Sequence, residues 1–195
     1  PKKGGEEHAL RILHAPSDAP ACSVEPDDFR EGRMSYDLVI RNGLVVDGTG
    51  KARYQADVAV AGGKVAEIGK VSESGKRTID AHGLVVTPGF VDPHTHYDAQ
   101  ICWDGAVTPS SWHGVTSVVM GNCGVGIAPC KPAAREIAMK DLVNVEGIPF
   151  DVLNQGITWD WETFPEFMDA AANRQPSLNL AFLAPSLSYD PDNVY

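Results

Sequence analysis

The sequence predicts an α/β protein in two parts. A small antiparallel β-sandwich-type unit is expected over residues 34–86, and β/α units around a parallel sheet over 87–195. Two observations carry this reading. Between 36 and 86, short β-branched runs are separated by Asn-Gly, Gly-Gly and Asp-Gly-Thr-Gly, which is the turn chemistry of strands. After Thr87, buried-looking strands alternate with helical stretches, the pattern of a parallel sheet with crossover helices.

The elements follow in chain order. Residues 1 to about 33 carry Pro16, Pro20 and Pro26 among charged and small residues, a composition that favours an extended or disordered leader. Within it, Ala9-Leu10-Arg11-Ile12-Leu13 can form one helical turn. Met34 opens the first β pattern and is expected as the natural start, with the earlier residues an extension. Leu38-Val39-Ile40 and Leu44-Val45-Val46 flank Arg41-Asn42-Gly43, a hairpin signal; Asp57-Val58-Ala59-Val60 and Lys64-Val65-Ala66-Glu67-Ile68 flank Ala61-Gly62-Gly63, a second one.

Beyond Thr87, strands are expected at 89–91, 115–120 and 178–183. Residues 132–145 have helical character, with Pro132 suited to a first turn. Thr163-Phe164-Pro165-Glu166 is a capping box with proline in the first turn. Phe164, Phe167, Met168 and Ala171 then form one apolar stripe, read as core packing.

Composition sets the outer limits. The chain has 195 residues and a formal net charge of −10, which disfavours general attraction to nucleic acid or an anionic membrane. No apolar run approaches the ~20 residues of a membrane span. Four cysteines (Cys22, Cys102, Cys123 and Cys130) form no C-x-x-C pair, so reduced thiols in a cytoplasmic protein are expected. A Cys123–Cys130 disulfide stays open. No G-x-G-x-x-G turn, phosphate loop or G-x-S-x-G elbow is present.

The chemistry-bearing residues stand at strand ends. In Gly89-Phe90-Val91-Asp92-Pro93-His94-Thr95-His96, the two histidines are two apart on a strand and share a face. A lone H-x-H also suits surface or hydrogen-bonded histidines. The C-terminal end of a β/α strand, where functional residues gather, favours metal ligation. Asp92 and Asp98 flank the pair, and either can orient an imidazole; Asp98 is expected in a loop, facing solvent or a helix N-terminus. Cys123 lies in the Gly121-Asn122-Cys123-Gly124 turn after the second strand. Spacing alone leaves it open between a thiolate ligand and a small buried hydrophobe. Cys102 and Cys130 are read as structural, His82 as a surface residue, and His113 as a structural hydrogen-bonding group at the opposite strand end.

These motifs, together with Gly114-Val115-Thr116-Ser117-Val118-Val119-Met120 and Trp159-Asp160-Trp161-Glu162-Thr163-Phe164-Pro165-Glu166, resemble the amidohydrolase superfamily. The resemblance is to the N-terminal portion of its N-acyl-D-amino-acid deacylase (D-aminoacylase) branch, over roughly Tyr36 to Pro185. The Gly-Asn-Cys-Gly turn is the part most specific to that branch. The resemblance implies a TIM-like (β/α) barrel beside a small β domain, with His94, His96 and Cys123 as Zn2+ ligands. It implies hydrolysis of a small-molecule N-acyl-D-amino acid. Family members take two more histidine ligands and the catalytic aspartate from later strands, so no catalytic residue is assigned here and the barrel is expected to be partial. Two alternatives stand. One is a ring amidohydrolase of the dihydropyrimidinase or dihydroorotase type, a group that generally places a carboxylated lysine in the bridging role of Cys123. The other is a truncated, non-catalytic fragment.

Overall fold

The computed structural model describes residues 36–184 and the backbone of 11–13. The leader and the Met34 start otherwise lie outside the described residues. Strand β1 (Arg11–Leu13) stands where the sequence suggested a helical turn, and it pairs antiparallel with the last strand of the sheet described below, Arg11 opposite Phe182. So short a run has little propensity of its own, and an open strand edge offers it backbone partners.

The chain divides between Pro88 and Gly89 into two compact units. The first holds β2 (Tyr36–Val45), β3 (Tyr54–Ala61), β4 (Lys64–Gly69), β5 (Gly75–Asp80) and β6 (Val85–Val86). They form one sheet in the order β4-β3-β2-β5, with β6 also paired to β2. The sheet is mixed, where an antiparallel sandwich-type unit was the expectation: β5 and β6 both run parallel to β2. Its core is Tyr36, Val39, Ala59 and Val71.

The Gly62-Gly63 hairpin forms as expected, both glycines at positive φ and Ala61 paired with Lys64. The hairpin expected at Asn42-Gly43 does not. β2 runs straight through it, with a register shift against β3 between Ile40 and Gly43. Asn42 adopts φ 58°, so the positive φ that Asn-Gly supplies makes a bulge instead of a turn. Aspartates on both neighbouring strands hold it in line. The Asn42 backbone N–H donates to Asp57 Oδ1 at 2.8 Å, and its side-chain amide donates to Asp80 Oδ1 at 3.0 Å. Arg41 then binds Asp57 (3.2 Å) and the carbonyls of Val71 (2.6 Å) and Glu73 (2.7 Å), fastening the following loop.

The second unit is built on three parallel strands, β7 (Phe90–Thr95), β8 (Val115–Met120) and β9 (Asn179–Phe182), and with the antiparallel β1 on the edge of β9 the sheet order is β1-β9-β8-β7. Two short 3-10 helices, Gln100–Cys102 and Ser110–His113, link β7 to β8. Three α-helices link β8 to β9: α1 (Arg135–Glu146), α2 (Phe150–Gly156) and α3 (Phe164–Asn173). α2 carries no signal that the sequence reading used. The capping box of α3 is formed in both directions: Thr163 accepts from the Glu166 N–H, and Glu166 accepts from the Thr163 N–H at 2.9 Å.

The helices cover the sheet with one continuous core of Val118, Met120, Leu142, Leu153, Trp161, Phe167, Leu180 and Phe182 among others. The stripe on α3 faces inward as expected, and Phe167 meets Phe182 edge to face at 5.6 Å. β7 is an edge strand, and Phe90 and Val91 on it are 57% and 63% exposed. The strand the sequence presents as buried is therefore open on part of its surface. No helix among the described residues is long and apolar enough to cross a membrane.

Candidate metal centre

Three side chains that could ligate metal meet at the C-terminal ends of β7 and β8. On β7 the alternation of a strand sends Thr95 inward and its neighbours outward. Thr95 is 5% exposed, and its hydroxyl donates to the Val119 carbonyl of β8 at 2.9 Å. His94 and His96 fall on the other face with their rings stacked, centroids 5.3 Å apart. The His94 backbone N–H donates to Asp92 Oδ1 at 3.2 Å, so that aspartate supports the chain, not the imidazole.

After β8 the chain must turn at once. Gly121 takes φ +80°, and a Cβ there would lie 2.1 Å from the Leu183 carbonyl oxygen, so only glycine fits. The Gly124 N–H closes the turn on the Gly121 carbonyl at 3.0 Å. Asn122 reaches back across the strand ends and donates to the Pro93 carbonyl at 2.9 Å. Cys123 is left exposed, and its Sγ accepts from the Val125 N–H at 3.4 Å, a contact that orients the sulfur at the strand end.

The ligand atoms of His94, His96 and Cys123 all lie within 4.8 Å of one another. Zinc bonds of about 2.0–2.3 Å set tetrahedral ligand atoms about 3.5 Å apart, so modest side-chain rotation closes the set. Two imidazoles and a thiolate are a donor set suited to zinc. The residues present therefore fit the ion.

Behind His96 the site is acidic and buried. His96 Nδ1 lies 3.3 Å from Glu146 Oε1, and the Glu146 side chain is only 8% exposed. Burial pushes the Glu146 carboxyl up to about 7. Asp98 is 5% exposed. Burial and then the nearby Glu146 charge push its carboxyl up to about 7 as well. The solvent-facing position expected for Asp98 is thus corrected: it sits in the interior beneath the histidines.

The remaining expectations sort simply. Cys123 carries a free thiol, so no Cys123–Cys130 disulfide forms. Cys130 is fully buried and Cys102 half-buried, both as structural residues. His82 is exposed. His113 is also exposed, at the start of β8 and so at the far end of the strand from the site, with no structural hydrogen bond of its side chain among the described residues. Glu146 was not singled out from sequence, although one signal exists. An acid as the last residue of a helix opposes the helix dipole, which points to a use elsewhere.

Comparison with known proteins gives consistent matches. A model of the amidohydrolase family matches residues 77–185. The chain is 35% identical over 147 residues to a D-aminoacylase of Alcaligenes xylosoxydans xylosoxydans, an alignment covering 75% of this chain and 28% of that one. A solved D-aminoacylase, studied for the role of its binuclear metal center, has a TM-score of 0.62 at 34% identity, covering 77% of this chain and 30% of that one. An N-acyl-D-glutamate deacylase from Bordetella bronchiseptica, complexed with zinc and a phosphonate inhibitor, has a TM-score of 0.54 at 28% identity, covering 78% of this chain and 30% of that one. The chain thus spans under a third of the length of these relatives.

Proposed function

The chain belongs to the amidohydrolase family, and on that premise we propose that it carries part of the metal centre of a zinc-dependent hydrolase of non-peptide amide bonds, with N-acyl-D-amino acids as substrates. The observation that carries the reading is the meeting of His94, His96 and Cys123 within 4.8 Å at two adjacent strand ends. These three residues would hold the zinc. When bound, zinc supplies a Lewis acid for the amide carbonyl and lowers the pKa of a water nucleophile.

The chain's own residues do the positioning. Thr95 and Asn122 tie β7 to β8 at Thr95 and Pro93, the two neighbours of His94, so the ligand-bearing tips are held in register before any ion arrives. The Val125 N–H, on the Cys123 Sγ at 3.4 Å, fixes the direction of the sulfur. In this reading the three parallel strands are the first part of a TIM-like barrel. No further ligand and no proton-shuttling carboxylate is assigned among these 195 residues. The substrate class rests on the likeness to D-aminoacylase and on Cys123, since the ring amidohydrolases generally use a carboxylated lysine in its place.

Metal analysis of the purified protein tests the centre. Zinc should copurify with the wild type and fall sharply in Cys123→Ala and His96→Ala; unchanged zinc in Cys123→Ala removes it as a ligand. Assay of the natural gene product tests the chemistry. N-acetyl-D-amino acids should be hydrolysed, and turnover of hydantoins alone would replace this reading with the ring-amidohydrolase one.

A further inference from the structure

We propose that Glu146 is a positioning residue for His96, its buried carboxylate accepting the Nδ1–H and so reserving Nε2 for the metal. The inference rests on the reading that His96 is a ligand, and it assigns a role to a residue on a different element.

Three observations carry it. His96 Nδ1 and Glu146 Oε1 are 3.3 Å apart. That same Oε1 is buried and makes no aligned hydrogen bond among the described residues. A buried carboxylate oxygen without a donor is costly, and the His96 imidazole stands beside it as a potential donor. Third, Glu146 is fixed where it stands. It is the last residue of α1, which Gly147 terminates at φ 69° with its N–H on the Val143 carbonyl, and which Ala138, Met139 and Leu142 anchor in the core. A helix end that would ordinarily attract a cation here presents an acid to the back of a histidine.

The chemical consequence is a choice of tautomer. A neutral imidazole has one N–H and one lone pair. In water the N–H sits mainly on Nε2, which would place the lone pair on Nδ1, facing a carboxylate. With Glu146 behind the ring, the proton belongs on Nδ1 and the lone pair on Nε2. Partners of this kind fix ring orientation and ligand basicity at metal sites. Among the described residues no carboxylate pairs with the ring of His94, so the two histidines are unequal: His96 has a partner behind it and His94 does not.

The test reads the tautomer directly in metal-free protein. The full chain is labelled with 15N-histidine and examined by long-range proton–nitrogen correlation at mildly alkaline pH, with the His96 signals assigned by loss in His96→Gln. Wild-type His96 should show a protonated Nδ1. Glu146→Gln keeps an acceptor oxygen and should preserve it, whereas Glu146→Leu should move the proton to Nε2. Zinc affinity, measured by chelator competition, should fall ~10–100-fold in Glu146→Leu and recover largely in Glu146→Gln. A protonated Nε2 in the wild type, or a tautomer that ignores Glu146→Leu, overturns the proposal. If Glu146→Leu fails to fold, the wild-type tautomer decides alone. A wild type that takes up no zinc while showing the Nδ1–H tautomer supports the pairing and instead overturns the metal-centre reading.

Discussion

Asn122 and Thr95 have no metal-ligand chemistry, yet they determine where the ligands stand. Each spans from one strand tip to the other, Asn122 to the Pro93 carbonyl and Thr95 to the Val119 carbonyl. Asn122→Ala removes one such tie and leaves all three ligand candidates in place. It should cost about 1 kcal/mol of stability in a denaturant titration, and it should weaken zinc binding in a chelator competition without abolishing it. Loss of zinc as complete as in Cys123→Ala would contradict that role. At this scale the sequence was informative about chemistry and silent about support. His94, His96 and Cys123 stand out because imidazole and thiolate are common metal-ligand groups and these three stand at strand ends. Asn122 was visible only as part of a turn, and Glu146 only as an acid ending a helical stretch, because their importance lies in contacts with segments far along the chain.

Single elements fix which local devices matter. The turn after β8 depends on Gly121, where a side chain would meet the Leu183 backbone and the φ is left-handed. Gly121→Ala should destabilise the protein by about 1–3 kcal/mol and disturb the zinc site, because Cys123 hangs from the same turn. The capping box of α3 lies apart from that turn. Thr163→Ala should lose about 1 kcal/mol in thermal or denaturant unfolding while zinc content stays unchanged. A matched effect of both variants on zinc would refute the assignment of Gly121 to the site. Turn and cap signals were legible where the required conformation is local, as at Gly62-Gly63 and Thr163. At Asn42-Gly43 the same local signal was satisfied differently. The positive φ is present, but Asp57 and Asp80 hold the chain straight and produce a bulge within β2.

For the whole molecule, stability of the unit that carries His94, His96 and Cys123 rests on the core that the α1–α3 crossover lays over β8 and β9. Phe167 is 2% exposed between Trp161 and Phe182, with ring centroids at 4.9 and 5.6 Å. Phe167→Ala should cost about 3–5 kcal/mol in a urea titration, the largest effect among the variants named here. A cost near that of Thr163→Ala would mean that the crossover is not the main support of the sheet. The net charge of −10 belongs to this scale as well. A charge of that sign disfavours general attraction to nucleic acid.

The sequence by itself determined the residue types of the candidate metal centre, their place at strand ends, the Gly62-Gly63 hairpin, the α3 cap and the succession of strand and helix. Each is set by side-chain chemistry, by a period of two or 3.6, or by the sign of φ, all properties of a few neighbouring residues. The tertiary structure alone decided that β5 and β6 join β2 in parallel, that Asn42-Gly43 bulges, that Asp98 is buried, and that His96 has Glu146 behind it while its partner ligands gather within 4.8 Å. These depend on which distant segments pair and pack. That choice is settled by the burial and hydrogen bonding of the whole chain, for which no local pattern is sufficient.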